Sequence, residues 1–387
     1  MVKPGSCLLL IALSLMPVGR AFGDAALDYY NRGVQKQDGG DLEGALVDYS
    51  RAIELKPDYA YAYNNRGVVK KAEGDLDGAL ADENKAVELN PNLPEARYNR
   101  GFVKHAKGDL EGALADESKA IELRPDFAQA WYNRGLVKHA KNDVAGALAD
   151  YTKAIEFKPD YAIAYNNRGN TKHTRGDADG ALADFTKAIE LKPDLADAWF
   201  GCGVVKQAKG DLAGALAAYT RAIELNPKGA TFYHSRGCLH YDDHEFTDAM
   251  ADFRQAIELD AAQDYSHLRL WLAGARAGET KSATKELRSY LRDRKTGKMD
   301  DWEATIMRFL TGQMTERAFF NAAIHNGDKQ QAGKQCEAYY YAGSKRLVEG
   351  NKKKAADYFQ QCLATDKKDY LEYKSAAAEL KFLGKGK

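Results

Sequence analysis

An Asn-Arg-Gly triplet recurs along this chain at 31–33, 65–67, 99–101, 133–135 and 167–169, always 34 residues on, and Gly203 and Gly237 continue the count after the residues before them have drifted. A period of this length constrains the fold more than any other feature. Each unit is too short to bury an apolar face alone, so successive units must stack on one another. With the glycine set at position 8, seven repeats span 26–59, 60–93, 94–127, 128–161, 162–195, 196–229 and 230–263. Position 20 is alanine in all of them (Ala45, Ala79, Ala113, Ala147, Ala181, Ala215, Ala249), as is position 27 (Ala52 to Ala256), and position 32 is proline in six.

Each repeat reads as two helices. An aromatic at position 4 (Tyr29, Tyr63, Trp131, Tyr165, Trp199, Tyr233) precedes the glycine by four residues, which is helical spacing. Gly-Asp pairs such as Gly74-Asp75 and Gly108-Asp109 fall mid-repeat, where glycine ends one helix and aspartate caps the next. Apolar residues then return at three- and four-residue intervals until the proline blocks continuation. Small residues at positions 8, 20 and 27 let the helices approach closely.

Aromatic at 4, Gly at 8, Ala at 20, aromatic at 24 in most copies, Ala at 27 and Pro at 32: this pattern resembles the tetratricopeptide repeat (TPR) family. The resemblance implies an all-α fold, a right-handed superhelical solenoid of stacked antiparallel helix pairs. It also implies that the first helices line a concave groove for peptide segments, through positions 2, 5, 9, 12 and 13. On that basis the groove lining includes Tyr30, Asn64, Tyr98, Tyr132, Asn166, Phe200 and His234 at position 5, Asn170 at position 9, and Lys71, His105, His139 and His173 at position 12. No lysine stands at position 5, so the family's clamp for carboxylate tails is not expected. His105, His139 and His173 recur one per repeat, too far apart for three rings to meet on one zinc ion. No metal and no cofactor is expected. No phosphate loop, nucleophile elbow or His-Glu-x-x-His motif occurs, and the chain is expected not to be an enzyme.

One departure from the family is systematic. Position 7, normally apolar, is Arg32, Arg66, Arg100, Arg134, Arg168 and Arg236, with Cys202 the exception. Position 23 is Asp48, Asp82, Asp116, Asp150, Asp184 and Asp252, and its exception, Ala218, falls in the same repeat as Cys202. The shared exception predicts an ion pair bridging the two helices of each repeat, since a guanidinium fork matches a carboxylate. The competing reading pairs the aspartate along its own helix with Arg51, Lys85 or Lys119 at position 26.

The chain carries 56 basic and 56 acidic side chains, a balance that argues against nucleic acid as a partner. Lys3, an apolar run from Leu8 to Met16 and small residues at Ala21 and Gly23 predict a secretory signal over 1–23, cleaved before Asp24. No later stretch is apolar enough to cross a membrane, and a periplasmic or secreted location follows from the signal. Export would place the remaining cysteines where disulfides persist. Cys336 opens one helix and Cys362 closes the next in a terminal pair, which predicts a disulfide between them; Cys202 and Cys238 are expected to stay as buried thiols.

Beyond the repeats the pattern decays. A divergent eighth unit is assigned to 264–297, an irregular helical connector to 298–335, a terminal TPR-like pair to 336–369 and a capping helix with its tail to 370–387. Trp302 to Gly312, Cys336 to Tyr340 and Tyr370 to Leu380 resemble the end of NlpI-type TPR proteins of bacterial envelopes. That resemblance implies an adaptor joining other proteins, and it leaves a homodimer open. The expected function is a protein-interaction scaffold holding extended segments in its groove. The alternative is a rod that self-assembles through its convex face or ends, with the groove idle.

Overall fold

A computed structural model describes residues 22–294, 301–324, 331–368 and 370–385. Most of the expected leader lies outside these residues. Among them the ordered structure is helical, with no strand. The chain divides into two units, residues 1–177 and 178–387.

The first unit holds α1 (Phe22–Asp38), α2 (Leu42–Leu55), α3 (Ala60–Ala72), α4 (Leu76–Leu89), α5 (Pro94–Ala106), α6 (Leu110–Leu123), α7 (Ala128–Ala140), α8 (Val144–Phe157) and α9 (Ala162–Thr174). Odd-numbered helices are the first of each pair and even-numbered ones the second. The second helices begin on a capping aspartate: Asp75 Oδ1 accepts from Gly78 N at 2.8 Å, and Asp41, Asp109 and Asp143 repeat the contact at 2.9 Å. Gly74 ends the helix before it at φ +87°, a conformation that suits glycine, and Asn142 takes the equivalent place in the fourth repeat at φ 64°. Helix packing explains the invariant small residues. The alanines at positions 20 and 27 are fully buried. A Cβ on Gly33 would fall 2.7 Å from the Tyr49 ring, and one on Gly135 equally close to Tyr151.

The second unit holds α10 (Ala178–Leu191), α11 (Ala196–Ala208), α12 (Leu212–Leu225), α13 (Ala230–Asp242), α14 (Phe246–Leu259), α15 (Asp264–Arg276), α16 (Thr280–Asp293), α17 (Trp302–Leu310), α18 (Glu316–Ala323), α19 (Gln331–Val348), α20 (Lys352–Ala364) and α21 (Leu371–Lys385). Its later helices share one apolar core that includes Phe253, Leu268, Trp271, Phe309, Tyr340 and Phe359. The connector supplies three of its rings: Phe319 stacks on Trp302 at 5.5 Å and on Phe309 at 4.2 Å.

Cys336 and Cys362 do come together across α19 and α20, buried, but their sulfurs stand 3.3 Å apart as two thiols in contact, not at the roughly 2.05 Å of a disulfide. Helix-hairpin geometry brings the side chains together, but bond formation also needs an oxidant. Oxidised glutathione is expected to close this pair, with a 2 Da mass loss and a gain of about 3–4 kcal/mol. An unchanged mass after prolonged oxidation of the folded chain would contradict this. Cys202 and Cys238 are both buried, and burial pushes the Cys238 thiol up to about 12.

Candidate protein-binding face

Position 7 arginines and position 23 aspartates meet inside their own repeats. Asp82 accepts from Arg66 Nε at 2.8 Å and Nη2 at 2.7 Å, Asp116 from Arg100 at 2.7 and 2.5 Å, and Asp150 from Arg134 at 2.8 Å twice. Arg32 grips Asp48 in the same two-pronged way, and Arg236 holds Asp252 at 2.9 and 2.7 Å. Arg168 lies in the first unit and Asp184 in the second. The basic residue at position 26 turns outward along its helix to a glutamate three residues on, as in Arg51–Glu54 at 2.5 Å and Lys85–Glu88 at 2.6 Å. In the sixth repeat Cys202 and Ala218 fill the slot as two buried small side chains.

In repeats one to four a third side chain, which the sequence pattern does not reveal, joins the cluster. Position 11 contributes a lysine to the same carboxylate: Lys36 to Asp48 at 2.9 Å, Lys70 to Asp82 at 2.8 Å, Lys104 to Asp116 at 2.7 Å and Lys138 to Asp150 at 2.8 Å. Hydrogen bonds from Arg32, working against burial and helped by Lys36, hold the Asp48 carboxyl down at about 2. Arg66 Nη1 also reaches back to Ser50 Oγ in the preceding repeat at 3.1 Å, so these clusters bind repeat to repeat as well as helix to helix.

The first-helix face of unit 1 has a floor and a rim. Position 5 forms the floor. The Tyr30, Tyr98 and Tyr132 rings are half-buried against Tyr59, Phe127 and Tyr161, at centroid distances of 5.1, 5.0 and 5.1 Å. Position 6 asparagines of the next repeat tie them down: Asn65 donates to Tyr30 Oη at 3.1 Å and Asn167 to Tyr132 Oη at 2.8 Å. Asn64 and Asn166 are buried, and Asn99 donates to Asn64 Oδ1 at 3.0 Å. These residues join neighbouring first helices rather than standing free. The rim is made by positions 2 and 9, where Leu27, Tyr61, Phe102 and Ile163 are between 38 and 49 % exposed. Lys71, from the repeat before, places its ammonium 4.5 Å from the Phe102 ring centroid. His105 and His173 are half-buried, while His139 and Asn170 are exposed.

In unit 2 the corresponding face of α13 and α15 is covered by the chain itself. α21 lies against α13, α19 and α20, and its acids meet arginines of α15. Glu372 Oε1 accepts from Arg269 Nη2 at 3.1 Å, and Glu379 accepts from Arg276. Arg269, wholly buried, also donates to Tyr340 Oη at 2.8 Å and Ser375 Oγ at 3.0 Å. His244 lies 3.9 Å from the Phe382 ring, centroid to centroid. The final helix therefore covers position 12 and 13 side chains of α13 and α15 instead of only capping the end of the stack. Tyr241 is fully buried. His234 is engaged by Ser266 Oγ at 2.8 Å, and burial lowers its pKa to about 4, leaving it neutral. Phe200 packs between Tyr219 and Phe232 at 5.5 and 4.9 Å.

Among the described residues, the one group of three His, Cys, Asp or Glu side chains close enough to share an ion is His240, Glu245 and Asp248, not the position 12 histidines.

Comparison with known proteins agrees with this architecture. The TPR repeat family model matches residues 33–74, 69–108, 103–142, 137–174, 169–210 and 207–243, and a second tetratricopeptide repeat model matches 230–263. Paired helices repeating at this period define a helical-repeat protein. The chain belongs to the tetratricopeptide repeat family. A tetratricopeptide repeat protein from Parabacteroides merdae is similar at 22% identity and a TM-score of 0.50, covering 65% of this chain and 99% of its own. PilF of Pseudomonas aeruginosa is similar at 19% identity and a TM-score of 0.51, over 55% of this chain and 96% of its own. YrrB, described as a TPR protein with an unusual peptide-binding site, aligns at 26% identity with a TM-score of 0.41, over 49% of this chain and 97% of its own. No curated protein matches.

Proposed function

We propose that this protein is a non-enzymatic scaffold that holds segments of other proteins against the first-helix face of its first unit. The carrying observation is the rim: four large apolar side chains, Leu27, Tyr61, Phe102 and Ile163, remain exposed at two positions seven residues apart in the repeat, and so on one helix face. Exposed apolar groups gathered on one face point to an interaction site. The floor beneath them, its amides and hydroxyls paired with one another, holds the rim in place. The leader-like residues 1–23 support an envelope or secreted location, and the NlpI-like terminal segments support an adaptor role.

Tyr61→Ser with Phe102→Ser is expected to lose most captured partner protein while the fold stays intact, since substitution at exposed sites moves stability by about 0.5 kcal/mol or less. Affinity capture from an extract of the source cells, with circular dichroism on both forms, measures this. Undiminished capture would overturn the reading. The self-assembling rod relies on the second-helix surface, where Val47 and Phe157 are exposed; Val47→Ser should spare capture by the first face.

A further inference from the structure

Position 24 carries an aromatic ring in five of the seven repeats, and in repeats two and three it carries Glu83 and Glu117. Both carboxyls sit where the rings sit. A Cβ on Gly67 would fall 2.8 Å from Glu83 Oε1, and one on Gly101 2.9 Å from Glu117 Oε1, matching the approach of Tyr49 to Gly33. Glu83 is 1 % exposed and Glu117 0 %. Neither oxygen of Glu83 has a hydrogen-bond partner, and of Glu117 only Oε1 has one, Asn133 Nδ2 at 3.3 Å. Two adjacent core positions thus hold unsatisfied acids where a ring would pack. Such a departure from the local rule belongs at functional sites, because it costs stability.

The surroundings say what is missing. Lys71 is the one neighbouring cation not engaged by an aspartate; its ammonium lies over Phe102, with no salt bridge to either glutamate. Arg100 and Arg134 also face the site, but their forks are taken by Asp116 and Asp150. Asp82 and Asp116, next along the same helices, add negative charge, and Tyr98 faces Glu117 from α5. A metal is disfavoured, because these oxygens do not gather with a third ligand as closely as His240, Glu245 and Asp248 do. Unpaired acceptors on two carboxyls suit a flat cation with several donors on a long stem, and Phe102, already beneath the Lys71 ammonium, offers a ring to pack along it.

We infer that the face over repeats two and three accepts an arginine side chain of the guest segment, whose guanidinium displaces the Lys71 side chain and is bound by Glu83 and Glu117. This rests on the reading of unit 1 as the docking face and names the chemistry that the face selects. Burial, opposed by Lys71 and Arg100, lifts Glu83 to about 9, and burial likewise lifts Glu117. An arriving guanidinium favours the ionised form, so binding releases protons and strengthens as pH rises toward 9.

The test uses the full chain and two small probes, N-acetyl-arginine amide and its neutral isostere N-acetyl-citrulline amide, followed through backbone amide spectra. The expected result is saturable shifts in α3–α7 with the arginine probe alone. They should be at least about fivefold tighter at pH 8.5 than at pH 6.5, and absent in Glu83→Gln/Glu117→Gln. Equal shifts with citrulline, arginine shifts that survive the double substitution, or no saturable shift would each overturn the inference. None of these outcomes touches the docking face itself, because the rim variants Tyr61→Ser and Phe102→Ser are read by capture of whole proteins.

Discussion

Arg269→Met is expected to destabilise the second unit by about 3–5 kcal/mol, the range for removing one partner of a buried ion pair. The arginine is wholly buried and its guanidinium holds three side chains on two helices: Tyr340 on α19 and Glu372 and Ser375 on α21. Methionine fills most of the volume but leaves the Glu372 carboxylate, 4 % exposed, without its countercharge. Tyr341 Oη, at 3.5 Å, is the remaining donor to it and a weak one. The loss should show first as release of α21, so protease cleavage near residue 370 should precede global unfolding. Pairing Arg269→Met with Glu372→Met should recover much of the loss, since replacing a whole buried pair by apolar groups is often neutral. Guanidinium unfolding of the three forms decides it. A single variant within about 1 kcal/mol of the parent would mean that this cluster does not hold the helix.

Glu83→Phe is expected to stabilise the first unit by about 2–4 kcal/mol at pH 8 and by much less at pH 5. Burial raises the Glu83 carboxyl from its ordinary 4.5 to about 9. A folded-state value above the unfolded one means that the folded chain binds the extra proton between those limits. Stability is therefore full below about pH 4.5 and falls as pH climbs toward 9. Phenylalanine removes the titrating group and restores the ring that Tyr49 and Tyr151 place on Gly33 and Gly135. Glu83→Gln separates the two effects: it should flatten the pH dependence without the packing gain. Denaturant midpoints at pH 5 and pH 8 measure both. A parent protein equally stable at the two pH values would contradict the buried acid.

The helices and their spacing were readable because the constraint repeats seven times, so chance variation averages out. The Arg–Asp clusters were readable for a narrower reason: repeat six lost Arg and Asp together, at Cys202 and Ala218. The lysine at position 11 left no such trace. Lys206 persists in repeat six although its aspartate is gone, so the lysine does not vary with its partner. α21 was harder still. Arg269 and Arg276 are seven apart, as are Glu372 and Glu379, which is two turns of one helix face. Yet about a hundred residues separate the two pairs, and only tertiary packing shows that they meet. For the same reason the repeat position assigns His234 to the groove lining, although Ser266 of α15 and the Phe253 ring of α14 engage it. Position 5 in unit 1 carries the converse lesson. The family pattern assigns Tyr98 and Tyr132 to the groove, but their half-buried rings also serve inter-helix packing, so alanine there would disturb folding and binding together.

Photo-crosslinking from single sites separates the two helix surfaces. A benzophenone amino acid is placed at Phe102 on the first-helix face of unit 1 or at Val47 on its second-helix surface, and the attached peptides are sequenced. Segments of other proteins should be joined at Phe102, with little at Val47. Crosslinks confined to Val47, with the attached peptides coming from a second copy of this chain, would contradict docking on the first-helix face.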